Sequence, residues 1–160
     1  MVLLAVCLAN YTFTGINIGA YGFQSDGGVL WNSGFGKHLY SGTLGLPEND
    51  VLRSTNNCFP HYFVGDNAFP LKPFLMRPFP GENLPPDRQI FKQRLSRARR
   101  VIENVFGILA CRWRILLSPL KMSPTSAEIV NATVVLHNFV KMHDGSYCPL
   151  KQSIKKSMAK

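Results

Sequence analysis

Acidic residues are scarce in this chain. Nine Asp and Glu stand against eighteen Lys and Arg over 160 residues, a formal net charge of +9. Cysteine is sparse as well. Cys7, Cys58, Cys111 and Cys148 are far apart and no C-x-x-C occurs, which argues against a zinc site built on cysteine pairs. Reduced, partly buried thiols are expected rather than a disulfide scaffold. Long apolar runs are missing too. The stretch from Val2 to Ala9 is far too short to span a bilayer. It also lacks the basic leading region of a secretory signal. A secreted, disulfide-bonded protein is therefore the weakest of the readings the composition leaves.

What is present suits one packed domain. Apolar residues make up 46% of the chain and charged residues 17%, with eleven Phe and two Trp as large core side chains. The charge is segregated. Residues 1–60 hold Lys37 and Arg53 against Asp26, Glu48 and Asp50, net −1. Residues 61–86 balance at zero, residues 87–115 carry +6 and residues 116–160 carry +4. A positive field confined to one half of the chain points to a polyanionic partner, nucleic acid first and anionic membrane second. The bland alternative is a solvated surface.

The pattern predicts a buried strand at Val2–Cys7 and a second at Phe13–Ile18, joined as a hairpin. Residues 19–28 read as a Gly-rich loop, and residues 29–38 as a short, Gly-interrupted helix. Residues 44–57 form a turn-rich connection. Tyr62 to Val64 is a short strand, and prolines between Pro70 and Pro86 forbid a regular helix after it. The clearest element runs from Asp87 to about Arg114. Phe91, Leu95, Ala98, Ile102, Val105 and Leu109 recur at steps of four and three, so they share one helical face. After a break at Ser118–Ser123, Ser123-Pro124 reads as an N-cap with Pro at N1. A helix over 127–140 follows, apolar on most sides and hence expected to be buried. Asp144-Gly145 ends it, and residues 143–160 form a basic tail.

Three carboxylates attract attention. Glu103 lies about 100° from the centre of the apolar stripe, by helical geometry, at the border of core and solvent. Arg99 and Arg100 are near it, and Gly107 and Ala110 would permit close approach of a neighbouring element. Asp66 follows a short strand and Gly65, where α/β folds place ligands. Asp26 sits in Gln24-Ser25-Asp26-Gly27-Gly28, which is otherwise an ordinary Asp-Gly turn. Each has a plain structural explanation: a surface ion pair for Glu103, a turn or cap for Asp66. Together they are the donor set a hard divalent cation takes. Two such ions serve phosphodiester cleavage, and adjacent arginines would hold the phosphates.

Longer segments carry a resemblance. Residues 63–71, Phe-Val-Gly-Asp-Asn-Ala-Phe-Pro-Leu, look like a GDxxYPL segment. Residues 75–79, Leu-Met-Arg-Pro-Phe, look like an LLTPY stretch. Residues 91–107 are close to FNxxLSRARxxIENxFG, and Leu136-His137-Asn138-Phe139 matches LHNF. In these motifs the chain resembles the Harbinger-type (PIF/Harbinger) DDE transposases and their domesticated nuclease relatives, over residues 1–142.

The resemblance implies an α/β, RNase H-like fold, a mixed sheet flanked by helices. It implies that Asp66 and Glu103 match two catalytic carboxylates, with Asp26 at a further acidic position. It implies a divalent metal cofactor, Mg2+ or Mn2+, and phosphate contacts from Arg97, Arg99, Arg100, Arg112 and Arg114. DNA is the implied partner, with a separate DNA-binding protein as a further candidate, no membrane, and the nucleus as the location. His137 is expected to be a structural histidine. The family's first catalytic Asp is expected upstream of the opening hairpin, so that the fold would be incomplete at its N-terminus. Leu8 and Asn17 occupy positions where relatives often carry Asp.

Overall fold

The computed structural model describes residues 2–20, 25–117 and 124–143. The break at 118–123, the Ser123 cap, the Asp144-Gly145 stop, the basic tail and Cys148 lie outside the described residues. The chain divides into two compact units, one of residues 1–22 and 100–160, the other of residues 23–99.

The first unit is built on a hairpin. β1 (Val2–Cys7) pairs antiparallel with β2 (Phe13–Ala20), as the apolar pattern predicts. Its tip is a tight loop. Leu8 N–H donates to Thr12 O at 2.9 Å and Tyr11 N–H to Leu8 O at 3.0 Å. Asn10 Oδ1 accepts from the Thr12 N–H and hydroxyl, the local side-chain turn that suits Asn. Tyr11 takes φ 68°, in the left-handed region. Against this hairpin lie the C-terminal half of α3 (Pro86–Arg112) and α4 (Pro124–His143). Phe13, Val105, Leu109 and Val134 form the buried centre, with Phe13 and Phe106 ring centroids 5.8 Å apart. Burial raises the pKa of the half-buried Cys7 thiol in the same layer.

The second unit is assembled from short pieces. Its first helix, α1 (Asp26–Asn32), begins where a loop is expected. The Ser25 hydroxyl caps Gly28 N–H at 3.2 Å, a standard N-cap, so Asp26 stands in a helix's first turn and not in an Asp-Gly turn. α2 (Gly34–Tyr40) follows at once. Ser33 ends α1 and caps α2, its hydroxyl accepting from Gly36 N–H at 2.8 Å. The expected single interrupted helix is thus two helices. β3 (Asp50–Val51) and β4 (Cys58–Phe59) make a small exposed antiparallel pair.

β5 (Phe63–Val64) pairs parallel with β6 (Leu75–Met76), a strand lodged inside the Pro-rich stretch. Leu75 and Met76 fall between Pro73 and Pro78, so neither proline occupies the paired positions. α3 starts at Pro86, where the missing N–H costs nothing, with Asp87 beside the positive end of the helix.

The class is α/β, as expected, and consistent with a DDE nuclease fold. Among the described residues the strands fall into three two-stranded sheets, two antiparallel and one parallel. Two expectations about faces need correction. Ala98 is exposed, and Ile108 joins Val105 and Leu109 as buried. α3 gives Leu95 to one unit and the 105–109 cluster to the other, so its stripe is not one continuous seam. α4 is not buried all round. Val130, Thr133, Val134 and His137 are covered, while Val135, Leu136, Phe139 and Met142 are exposed, because its partners lie on one side. Among the described residues no helix is long and apolar enough to cross a membrane.

Candidate nucleic-acid interface and carboxylate site

Asp66 follows β5 after Gly65 alone, at the carboxyl end of the parallel pair. Gly65 N–H extends that ladder to Met76 O at 2.9 Å. Gly65 is buried, and a Cβ there would stand 2.8 Å from Phe69 and 3.4 Å from Leu75. The Gly-Asp dipeptide therefore turns the chain sharply with no room for a side chain before the carboxylate. Asp66 Oδ1 accepts from Ala68 N–H at 2.9 Å. Oδ2 faces Arg99 Nη1 at 3.8 Å, with the two side chains 39% and 35% exposed. That is a solvent-screened ion pair, of little weight for stability.

The first turn of α1 reaches the same place. A Cβ on Gly27 would lie 3.4 Å from Ala68 O and from Pro70 Cδ, so Asp26, itself exposed, stands next to the residue that meets the Asp66 turn. The structure thus brings together the neighbourhoods of Asp26, Asp66 and Arg99. Glu103 belongs to the other unit. It is exposed and already engaged in an interaction. Gly107 was expected to admit a close neighbour, yet a Cβ there would meet nothing within 4 Å among the described residues.

The cations differ in availability. Arg97, Arg100 and Arg114 are exposed. Arg99 is drawn to Asp66. Arg112 is half-buried, with its guanidinium 5.4 Å from the Trp113 ring. Three basic residues that the spacing argument passed over have structural duties. Arg77 Nη1 donates to Asn67 O at 3.3 Å and Phe69 O at 3.2 Å, bracing the Asp66 turn. Arg88 lies 5.2 Å from the Phe79 ring centroid. Lys92 Nζ donates to Gly81 O at 2.6 Å. Nothing in the local sequence announces these partners.

The LHNF segment is a clamp. His137, 1% exposed, bonds through Nε2 to Tyr11 O at 2.7 Å. A carbonyl only accepts, so Nε2 donates its proton here, while Nδ1 has no hydrogen-bond partner among the described residues. Asn138 Oδ1 accepts from Phe13 N–H at 2.8 Å and its Nδ2 donates to Phe13 O at 2.7 Å. The amide mimics a neighbouring strand at the start of β2. His137 is structural, as expected.

Among the described residues, no group of three or more His, Cys, Asp and Glu could hold an ion. Carboxylate donors do fit the chemistry of Mg2+ or Mn2+, which need only one or two of them beside water and phosphate. Cys7, Cys58 and Cys111 are free thiols.

The chain belongs to the DDE superfamily endonucleases, a transposase-derived nuclease family whose model matches residues 1–138. It is similar to Protein ALP1-like of Arabidopsis thaliana, 32% identical over 148 residues, which is 88% of this chain and 35% of that protein. The chain therefore spans 35% of the length of the relative it matches. No solved structure matches it.

Proposed function

We propose that this chain is a nuclease-like protein that binds DNA in the nucleus, with the cleavage chemistry of its family silent in these 160 residues alone. The observation that carries the reading is Asp66. It stands at the carboxyl end of a parallel strand pair, beside Arg99 and within the motif that resembles the transposase signature. Asp66 and Glu103 would be the principal carboxylate ligands of Mg2+ or Mn2+, with Asp26 as a further acidic group. When bound, such a cation would activate water and neutralise charge at the phosphate. The protein's own part is to position the backbone. The exposed Arg97, Arg100 and Arg114 suit phosphate contacts, whereas Arg99 and Arg112 first serve their neighbours. The motif match supplies two of the three carboxylates that the resemblance implies.

The competing reading is a non-catalytic module for nucleic acid or for a partner protein. It is favoured by the lack of a three-ligand group among the described residues. A plasmid-nicking assay with Mn2+, paired with Mn2+ titration, separates the two. We expect weak Mn2+ binding that Asp66→Asn and Glu103→Gln both reduce, and no nicking above background. Nicking that disappears in Asp66→Asn would show a working nuclease. Mn2+ binding that is indifferent to both substitutions would remove the metal role and leave the non-catalytic module.

A further inference from the structure

We propose that the groove beneath the Pro-rich segment and the first turns of α3 receives an unpaired nucleobase of the DNA. This rests on the DNA-binding reading above and adds a subsite to it. The groove has a volume of about 470 Å³, a size typical of small-ligand pockets. Its walls are largely apolar, from Met76, Phe79 and Phe91 among others, and Arg77 and Arg88 also line it. The Phe79 and Phe91 rings meet edge to face, with centroids 5.4 Å apart, and the Arg88 guanidinium lies 5.2 Å from the Phe79 centroid. Flat aromatic faces beside a planar guanidinium are what an unstacked base requires, because every base offers a π-face.

Charge selects the occupant. An apolar side chain of a peptide would use the rings but not the two guanidinium groups. A nucleotide uses both, the base in the groove and its phosphate on the arginines. Asp87, in the groove wall, offsets only one of the two positive charges. The groove also adjoins the carboxylate site. Arg77, one of its lining residues, is hydrogen-bonded to Asn67 O and Phe69 O, on either side of the Ala68 whose N–H binds Asp66. A base held here would fix the strand's register near Asp66, which gives an otherwise sequence-blind phosphate contact a preference for unpaired DNA.

Two labelled probes test this: a blunt duplex, and the same duplex with an unpaired oligothymidine tail carrying one 5-iodouracil. The 160-residue chain should bind the tailed duplex about tenfold more tightly, the effect of stacking one base. Phe79→Leu should remove most of that preference, with blunt-duplex affinity and the circular dichroism spectrum unchanged. Arg88→Gln should remove it too, on top of the uniform loss of affinity for both probes that one fewer positive charge brings. Irradiation should cross-link the tail to peptides holding Phe79 or Phe91. If either variant fails to fold, the wild-type cross-link map decides alone. Cross-links confined to other segments, or a tail preference that survives both substitutions, overturn the base pocket and leave DNA binding standing. A Phe-bearing peptide that occupies the groove while binding of the tailed duplex stays unaffected would assign the groove to polypeptide instead. No binding of either probe at low salt would fail the DNA reading itself, and the pocket with it.

Discussion

At the scale of single residues, the most consequential side chain is Asn138. Its amide both accepts from and donates to the backbone of Phe13, a residue 125 positions away in sequence. Phe13 is 5% exposed and sits at the centre of the first unit. Truncating Asn138 strips both main-chain groups of Phe13 of partners, and a partly buried, unsatisfied polar group costs about 1–3 kcal/mol. We expect Asn138→Ala to lower the unfolding free energy in urea by about 2–3 kcal/mol. Asn131→Ala, on an exposed face of the same helix, should stay within about 0.5 kcal/mol. Equal midpoints for the two variants would show that the clamp carries no stability. Sequence reasoning recognised the LHNF segment and assigned His137 a structural place. It could not see what Asn138 holds, because the partner is set by the fold and no spacing rule links helix to hairpin tip. The Nδ1 of His137, buried without a hydrogen-bond partner among the described residues, belongs to the same invisible class.

At the scale of elements, what was legible depended on whether local and tertiary signals agreed. β1, β2, α3 and α4 were readable because long apolar patterns, Pro at N1 and turn residues pointed the same way. α1 was hidden by its glycines. Gly27 and Gly28 look like loop residues, yet Gly27 is there for close approach to Ala68 and Pro70, and Ser25 supplies the cap. β6 was hidden by flanking prolines that spare the paired positions. Gly107 is the converse, a glycine the sequence suggested was needed for packing and which the structure leaves in open space. Gly107→Ala should therefore stabilise the chain, by about 0.5–1 kcal/mol from helix propensity alone, read as a higher urea midpoint. A loss of stability would mean that an unseen surface presses on α3 there. If DNA binding fell while stability rose, the open glycine would be marked as part of the interface.

At the scale of the whole molecule, charge organises the prediction. The net +9 is concentrated after residue 86, and among the candidate arginines only Arg97, Arg100 and Arg114 are exposed. The candidate carboxylates were legible singly, from the Gly-Asp turn and the helix motif, but which arginines are free to meet a phosphate was not. Arg99 and Arg112 look equivalent to Arg97 and Arg100 in the sequence, and differ in that Asp66 and Trp113 stand beside them. Each phosphate contact releases counterions, so the logarithm of the DNA association constant falls with the logarithm of salt by about 0.9 per contact on duplex DNA. Replacing Arg97 and Arg100 together by Ala should reduce that slope by about 1.8 and weaken binding to all duplex sequences alike. Arg112→Ala should change the slope by far less, and act instead through the packing of Trp113. The measurement is fluorescence anisotropy over a salt series, with circular dichroism as the folding control. A slope unchanged by the double substitution would mean that the positive face of α3 is a solvated surface. The basic half of the chain would then owe its charge to something other than DNA.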